Sequence, residues 1–163
     1  MSEAFVLISP DIAAGGIIPV RFAYRGCGGE NLSPALRWYG APAGTQSLAL
    51  TVFDPDAPTG SGWWHWLVYN LPASIDGLPQ RAGDPAAGLL PPGAVQGRND
   101  YGEHAWGGPC PPPGHGPHRY VFTLHALKVP RLDLPADASA AAIGFHIHFA
   151  RLAEASFTAT YER

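Results

Sequence analysis

The sequence predicts a mainly β fold: an antiparallel two-sheet sandwich with one helix near the C-terminus. Short apolar runs of strand length alternate with turns rich in glycine and proline along most of the chain. One alanine-rich segment near the C-terminus has the apolar spacing of a helix, and the last residues alternate between apolar and polar. Antiparallel strands joined by turns are most simply arranged as two packed sheets.

Six apolar runs are strand candidates, and each is bounded by turn residues. They cover residues 5–9, 20–24, 35–38, 47–54, 64–70 and 120–127. Glycine pairs at 15–16 and 28–29, Gly-Ala-Pro at 40–42 and Ile-Asp-Gly at 75–77 predict turns between them. The segment 83–117 is dense in proline and glycine, so we expect one short strand there and a long ordered loop.

One helix is predicted from residue 138 to about residue 151, with Asp137 as its N-cap. Gly144 lowers its stability by about 1 kcal/mol. Apolar residues at helical spacing give this segment one buried face: Ala140, Ile143, Ile147 and Ala150. Residues 155–161 then alternate Phe, Ala and Tyr with Ser and Thr, which predicts a final strand.

Length and composition fit one domain that spans residues 1–163. Hydrophobic residues make up 46% of the chain, which is enough for a sizeable core. The net charge of −3 gives no reason to expect nucleic acid or an anionic membrane as a partner. No secretory signal and no apolar run of ~18 residues is visible, so we expect a cytoplasmic protein that does not span a membrane.

Two segments carry the polar residues of a candidate ligand site. The first is the turn Asp54-Pro55-Asp56-Ala57-Pro58, followed by Trp63-Trp64-His65-Trp66. Its prolines fix φ and remove backbone donors, so this turn cannot join a helix or a central ladder. The second is His118-Arg119-Tyr120, which follows the long loop. A rigid turn with acids beside a strand with a histidine is typical of a site for a small polar ligand.

Side-chain alternation predicts which of these residues share a face. On the strand at 64–70, Trp63 and His65 would lie on the face of residues 67 and 69, and Trp64 and Trp66 on the other. Asp54 would end its strand on the face of residues 48, 50 and 52. His118 and Tyr120 would share a face, whereas Arg119 would point away from them. For Arg119 we therefore expect an ion pair that braces a loop, for example with Asp100.

Each residue also has an ordinary structural interpretation. A single buried histidine such as His65 is more often a satisfied core residue than a ligand. Asp54 and Asp56 are common turn residues, and a tryptophan stripe is usually core. The glycine pair at Gly107 and Gly108 is by itself weak support for an anion site.

Six motifs stand in a fixed order along the chain: Gly29-Glu30-Asn31-Leu32-Ser33-Pro34, Asp54–Pro58, Trp64-His65-Trp66-Leu67-Val68-Tyr69-Asn70-Leu71-Pro72, Gly97-Arg98-Asn99-Asp100-Tyr101-Gly102, Gly107-Gly108-Pro109-Cys110-Pro111-Pro112 and His118-Arg119-Tyr120. Together they resemble the phosphatidylethanolamine-binding protein family, in particular its bacterial and archaeal branch, often called Raf-kinase-inhibitor-like. The resemblance covers nearly the whole chain. It implies Greek-key sheets with a helix near the C-terminus.

The resemblance also implies an anion pocket that needs no metal or cofactor. Asp54 would lie in the pocket, another acid would brace the loop, and the bond before Pro58 would be cis. The loop Gly107-Gly108-Pro109 would offer backbone N–H groups to the anion. The predicted ligand-binding residues are therefore Asp54, Asp56, Pro58, Trp63, His65, Gly107, Gly108, Pro109, His118 and Tyr120.

Two cysteines, Cys27 and Cys110, stand 83 positions apart without the spacing of a zinc site. Reduced thiols are the default in a cytoplasmic protein. The resemblance places both in neighbouring loops, with Cα atoms within ~7 Å, and leaves a disulfide open. Asp54 with His65 and His118 could imitate a two-His-one-carboxylate set, which we keep as a minor metal hypothesis.

The leading functional hypothesis is a non-enzymatic protein that binds a small anion or a phosphorylated head group. His65, His118 and Tyr120 would donate hydrogen bonds to it. Asp54 would either orient a histidine or attract the ammonium group of a zwitterionic ligand. The resemblance implies a regulatory role toward a kinase or protease, and a homodimer. The alternatives are a hydrolase with an Asp–His pair, although no nucleophile motif accompanies that pair, and a protein-interaction module with a vestigial pocket.

Overall fold

The computed structural model describes residues 4–163 and has a mainly β fold with one α-helix, which confirms the predicted fold class. The elements of this part of the chain are β1 (Val6–Ile8), β2 (Leu36–Tyr39), β3 (Ser47–Asp54), β4 (Trp63–Pro72), β5 (Gly77–Leu78), β6 (Val95–Gln96), β7 (His118–Leu127), α1 (Ala140–Ala150) and β8 (Arg151–Tyr161). The strands form two antiparallel sheets, of three strands in the order β1-β2-β5 and of five strands in the order β6-β4-β3-β7-β8.

Most strands lie where the sequence predicts them, with one clear exception at residues 20–24. There, Val20–Phe22 form a 3-10 turn in which the Ala23 N–H donates to the Val20 carbonyl over 3.0 Å. Phe22 and Ala23 are fully buried, so the apolar run reflects burial and not a strand. The long loop holds one short strand, β6, as expected.

The N-cap of the helix α1 lies two residues after the predicted one. Ser139 is the N-cap, because its hydroxyl accepts from the Ala142 N–H over 3.1 Å, and Asp137 is not. The predicted apolar face is buried, and it packs against the outer face of the five-stranded sheet. No helix within residues 4–163 is long and apolar enough to cross a membrane.

The main core lies between the two sheets. It contains alternate residues of the large sheet, such as Leu50, Val68 and Leu124, packed against Leu7 and Trp38 of the small sheet. A second apolar cluster lies between α1 and the other face of the large sheet. The five-stranded sheet is therefore covered on both faces, and polar side chains gather where its strands end.

A β-bulge in β4 changes the alternation at His65. Val52 pairs with Trp66, but the next residue of β3, Phe53, pairs with Trp64, so His65 has no partner on β3. Trp66 consequently lies in the main core and Trp64 packs beside the second cluster. The prediction that both tryptophans share a face is therefore wrong, because a bulge inserts one unpaired residue and breaks the period of two.

Candidate functional site

A cavity of about 280 Å³ lies at one end of β3, β4 and β7. Because β3 is antiparallel to both neighbours, its C-terminal end lies beside the start of β4 and of β7. Six predicted site residues line the cavity: Asp54, Pro58, Trp63, His65, His118 and Tyr120. The remaining wall residues are Ala57, Thr59, Tyr101, Cys110, Pro111 and Pro112.

Asp54 uses both carboxylate oxygens within the protein. Oδ2 accepts from His118 Nδ1 over 2.7 Å, and Oδ1 accepts from the Asp56 N–H over 2.7 Å. Asp54 and His118 are only 3% and 2% exposed, so this is a buried pair. The carboxylate therefore fixes the orientation of the His118 ring and closes the turn that carries Pro58.

His118 is the centre of a chain of three polar side chains. Its Nε2 lies 2.6 Å from Nδ1 of His115, and one of these two nitrogens carries the shared proton. His115 is exposed at the surface, as expected for a loop histidine. The chain Asp54–His118–His115 therefore links the buried end of the cavity to solvent.

His65 is held as a neutral ring. Its Nδ1 lies 2.7 Å from the Gly107 carbonyl, which can only accept, so Nδ1 carries the proton and Nε2 is an acceptor. Complete burial lowers the pKa of His65 to about 4, although the nearby Gly107 carbonyl and Asp54 act against that shift. The expectation that His65 donates to an anion therefore requires that the ring first take up a proton.

Two donors on the cavity wall lack a partner. The Tyr120 hydroxyl and the Trp63 indole N–H are buried and make no hydrogen bond to any part of residues 4–163. Burial also raises the pKa of Tyr120, so its hydroxyl stays protonated at neutral pH. Buried polar groups usually have partners, so two unpaired donors on one cavity are unusual.

Tyr101 completes the wall and was not predicted as a site residue. Its ring stacks on Tyr24 with centroids 4.0 Å apart and meets the edges of Trp63 and His65. Its hydroxyl donates to the Gly108 carbonyl over 2.8 Å. Its motif, residues 97–102, also clamps the start of β4, because the Asp100 carboxylate accepts from the Trp64 N–H over 2.7 Å.

Asp56 does not line the cavity, contrary to its prediction as a ligand-binding residue. Both of its oxygens accept from the Arg119 guanidinium, over 3.0 and 2.8 Å, and Oδ2 also accepts from the Arg119 N–H. These hydrogen bonds hold the pKa of Asp56 at about 2. Arg119 braces the turn as expected, but its partner is Asp56 and not Asp100, which is bonded to β4.

The loop Gly107-Gly108-Pro109 lies behind the cavity and does not offer amides to it. The Gly107 N–H donates to the His65 carbonyl over 3.0 Å, and the Gly108 N–H donates to the Asn31 side chain over 2.7 Å. Proline has no N–H. The expected anion contacts of this loop are therefore wrong, because its backbone groups position His65 and the 29–34 motif.

The bond between Ala57 and Pro58 is trans, so the predicted cis proline is wrong. The turn closes without it, because Asp54 accepts from the Asp56 N–H and the Thr59 N–H donates to the Ala57 carbonyl over 2.7 Å. Trans is also the preferred isomer of an X–Pro bond, by about 0.5–1 kcal/mol.

Cys27 and Cys110 form a disulfide, and their Cα atoms lie 5.6 Å apart. The predicted proximity of the two loops is therefore confirmed. Cys110 lines the cavity, so the bond ties one wall to the segment around residue 27. That segment precedes Asn31, which holds the Gly108 loop.

The minor metal hypothesis finds no support in the geometry. Among residues 4–163, no group of three or more His, Cys, Asp or Glu side chains is arranged to hold a metal ion. Asp54 and the Nδ1 atoms of His65 and His118 are instead hydrogen-bonded within the protein.

The chain is similar to known proteins over nearly its whole length. The sequence profile of the family described as phosphatidylethanolamine-binding protein matches residues 8–162. Protein YbhB of Escherichia coli (strain K12) is 49% identical over 159 residues, which covers 95% of this chain and 98% of YbhB. LppC of Mycobacterium tuberculosis, a protein named as a lipoprotein, is 38% identical over 161 residues, covering 99% of this chain and 74% of LppC.

The fold is also similar to that of a solved relative. Escherichia coli protein YbcL is 46% identical over 163 residues, covering 99% of this chain and 89% of YbcL. Its crystal structure, described as a new member of the mammalian PEBP family, superposes with a TM-score of 0.95 and covers 99% of both chains.

Proposed function

The chain belongs to the phosphatidylethanolamine-binding protein family, and we propose that its cavity binds a small anion, with a phosphorylated head group such as phosphoethanolamine as the leading candidate. Family membership supports ligand binding in general. The observation that carries the finer proposal is the pair of unpaired donors, the Tyr120 hydroxyl and the Trp63 N–H. An anionic oxygen would give each of them a strong acceptor.

The cavity supplies donors but little positive charge. No lysine or arginine of residues 4–163 lines it, and Arg119 is paired with Asp56. Asp54 adds a buried acid, and His65 is uncharged at neutral pH because its pKa is about 4. A bare dianion would be poorly neutralised there, so we expect the anion to bind together with a proton, carried on a histidine or on the ligand.

Asp54 suits the role of an orienting residue better than that of an ammonium ligand. Both of its oxygens already accept strong hydrogen bonds, from His118 and from the Asp56 N–H. An ammonium group would have to compete with these bonds in a buried position. The phosphate end of a zwitterionic ligand would therefore enter the cavity, with its amine toward solvent.

A hydrolase is the second candidate, and the Asp54–His118–His115 chain is the feature that favours it. Two observations support binding over catalysis. The Thr59 hydroxyl on the cavity wall donates to the Gly62 carbonyl over 2.7 Å, and the Cys110 sulfur is in a disulfide. Turnover in a phosphatase and esterase panel, abolished by His118→Ala, would favour the hydrolase.

Calorimetry with sulfate and with O-phosphoethanolamine tests the proposal. Tyr120→Phe removes one hydrogen bond to a charged ligand, so we expect a loss of roughly 1.5–3 kcal/mol, about tenfold or more in Kd. Tyr39→Phe, at a half-exposed tyrosine on β2, is the matched control and should bind like the wild type. Equal affinity in all three proteins would contradict the proposal and favour a protein-interaction module.

We further propose that the protein has a regulatory role toward a kinase or protease and that it forms a homodimer.

We also propose a cytoplasmic location, against which two observations stand. The Cys27–Cys110 disulfide is typical of an oxidising compartment, and one relative is named as a lipoprotein. Alkylation of free thiols in intact cells before lysis would decide this, because a cytoplasmic protein should be trapped with both cysteines reduced.

A further inference from the structure

A second cavity, of about 340 Å³, lies between α1 and the face of the five-stranded sheet that points away from the main core. Its floor is formed by Thr51 of β3 and His125 of β7, and its roof by Gly144 and Ile147 of α1. It shares no wall residue with the cavity at the strand ends. Its volume is in the range of small-molecule sites.

The floor of this cavity holds an unsatisfied histidine. His125 is 6% exposed, and its Nε2 lies 2.9 Å from the Thr51 hydroxyl. Its Nδ1 is buried and has no hydrogen-bond partner among residues 4–163, since the Glu154 carboxylate is 3.9 Å away. Burial, and then the charge of Arg151, lower the pKa of His125 to about 3, so the ring is neutral at physiological pH.

The roof of the cavity holds a glycine that the helix does not need. A Cβ built on Gly144 meets no atom within 4 Å, so alanine would fit there. Alanine would also favour the helix, because its helix propensity is higher than that of glycine. The space beside Gly144 is therefore open, and Gly144 and His125 line the same cavity.

The rim of the cavity carries little net charge. Arg151 lies 3.3 Å from the Glu154 carboxylate, so the two charges offset each other. Trp64 and Ile147 provide apolar surface inside. The interior thus combines apolar walls with two polar groups on the floor, the Thr51 hydroxyl and the neutral His125 ring, while Arg151 and His148 also line the cavity. A charged ligand group placed beside His125 would lose its hydration, and Arg151 already pairs with Glu154.

We propose that this second cavity is a binding site for a small uncharged molecule with a flat apolar body and one hydroxyl group, independent of the anion site. The hydroxyl bonds to Nδ1 of His125, and the apolar body lies between Trp64, Gly144 and Ile147. Because the Thr51 hydroxyl can either donate or accept, His125 can adopt either tautomer and can pair with the ligand hydroxyl as donor or acceptor.

Titration of the isotope-labelled protein with 2-naphthol, followed by amide NMR shifts, tests this proposal. We expect saturable shifts centred on Thr51, His125 and Gly144. The anion 2-naphthoate has the same ring system, and we expect it to bind at least about tenfold more weakly because of its charge. Comparable affinity for both compounds would overturn the ligand class. Shifts confined to Tyr101 and Thr59, or to the exposed Phe145 and Phe149, would overturn the site.

Two variants separate the roles of space and of the hydrogen bond. Gly144→Leu fills the cavity and should weaken 2-naphthol binding at least about tenfold, whereas Gly144→Ala, the control for helix propensity, should stay within about threefold of the wild type. The double variant Thr51→Val with His125→Leu removes both floor polar groups together, and should weaken binding about two- to tenfold. Unchanged affinity in Gly144→Leu or in the double variant overturns the proposal.

Discussion

His115 Nδ1 lies 2.6 Å from His118 Nε2, while His118 Nδ1 donates to the Asp54 carboxylate. Both ring nitrogens of the buried histidine are therefore bonded within the protein. An anion that uses Nε2 of His118 must displace His115, whose side chain is exposed at the surface. His115 thus competes with the proposed ligand for one position of the site.

The first prediction is that His115→Ala tightens anion binding. The ligand no longer has to break the His115–His118 bond, whose net worth is about 0.5–1.5 kcal/mol, so sulfate Kd should fall about two- to tenfold. Calorimetry measures this, with His104→Ala, another exposed loop histidine, as the control. Weaker binding in His115→Ala would mean that His115 supports the ligand and does not compete with it.

The second prediction is that sulfate binding strengthens as the pH falls from 7.5 to 5.5. In the ligand-free protein the pKa of His65 is about 4, so the ring is neutral between pH 7.5 and pH 5.5. A bound anion would favour its protonated form. Coupled uptake of one proton lowers Kd by up to about tenfold per pH unit. Sulfate does not titrate in this range, so the slope reports the protein. His65→Gln should flatten the profile, and a flat wild-type profile would refute proton uptake.

The third prediction concerns stability in acid. The pKa of His125 falls from 6.5 in the unfolded chain to about 3 in the folded one, so between these values only the unfolded state holds the proton. Its contribution to folding stability is present above pH 6.5 and is lost as the pH falls. Urea unfolding at pH 7 and pH 5 should show a loss of about 2 kcal/mol from this residue.

Burial also lowers the pKa of His65, so a loss of stability measured in the wild type cannot be assigned to His125 alone. The double variant Thr51→Val with His125→Leu isolates the contribution of His125, and its loss between pH 7 and pH 5 should be smaller by that amount. An identical loss in the variant and the wild type would show that His125 titrates normally in the folded protein.

The fourth prediction is that loss of the disulfide destabilises the fold and weakens the anion site together. The bond joins residues 83 positions apart, and such a crosslink is worth about 2–4 kcal/mol. Anion affinity should fall as well, because Cys110 lines the cavity. Cys27→Ser with Cys110→Ser and reduced wild type should agree in Tm and in Kd. If the reduced wild type keeps full affinity, the disulfide does not position the wall.

Local sequence was sufficient to predict the orientation of a residue where that orientation depends only on its neighbours along the chain. The alternation in β3 correctly placed Asp54 on the face of Leu50 and Val52, because a regular strand has a period of two. The same rule failed at Trp64 and Trp66, because the bulge at His65 is set by pairing with β3 and has no local signature.

Partners distant in sequence were decided by the tertiary structure. Asp56 is a turn acid in the sequence, and only the approach of β7 gives it Arg119 as a partner. Gly107 and Gly108 suggested free amides, but the folded chain brings them the His65 carbonyl and Asn31. His115 could have been noticed, since it stands three residues before His118, yet its contact depends on how the loop folds back.

The sequence by itself determined the family, the β-rich architecture and the set of chemical groups available to the site, because motif order, periodicity and residue type are properties of the chain alone. The tertiary structure decided how those groups are used. It made Asp54 an orienting residue and made His65 a neutral acceptor, and among residues 4–163 it left the Tyr120 hydroxyl and Trp63 N–H without partners. The physical reason is that hydrogen-bond saturation and desolvation depend on every atom around a group, and most of those atoms come from distant segments.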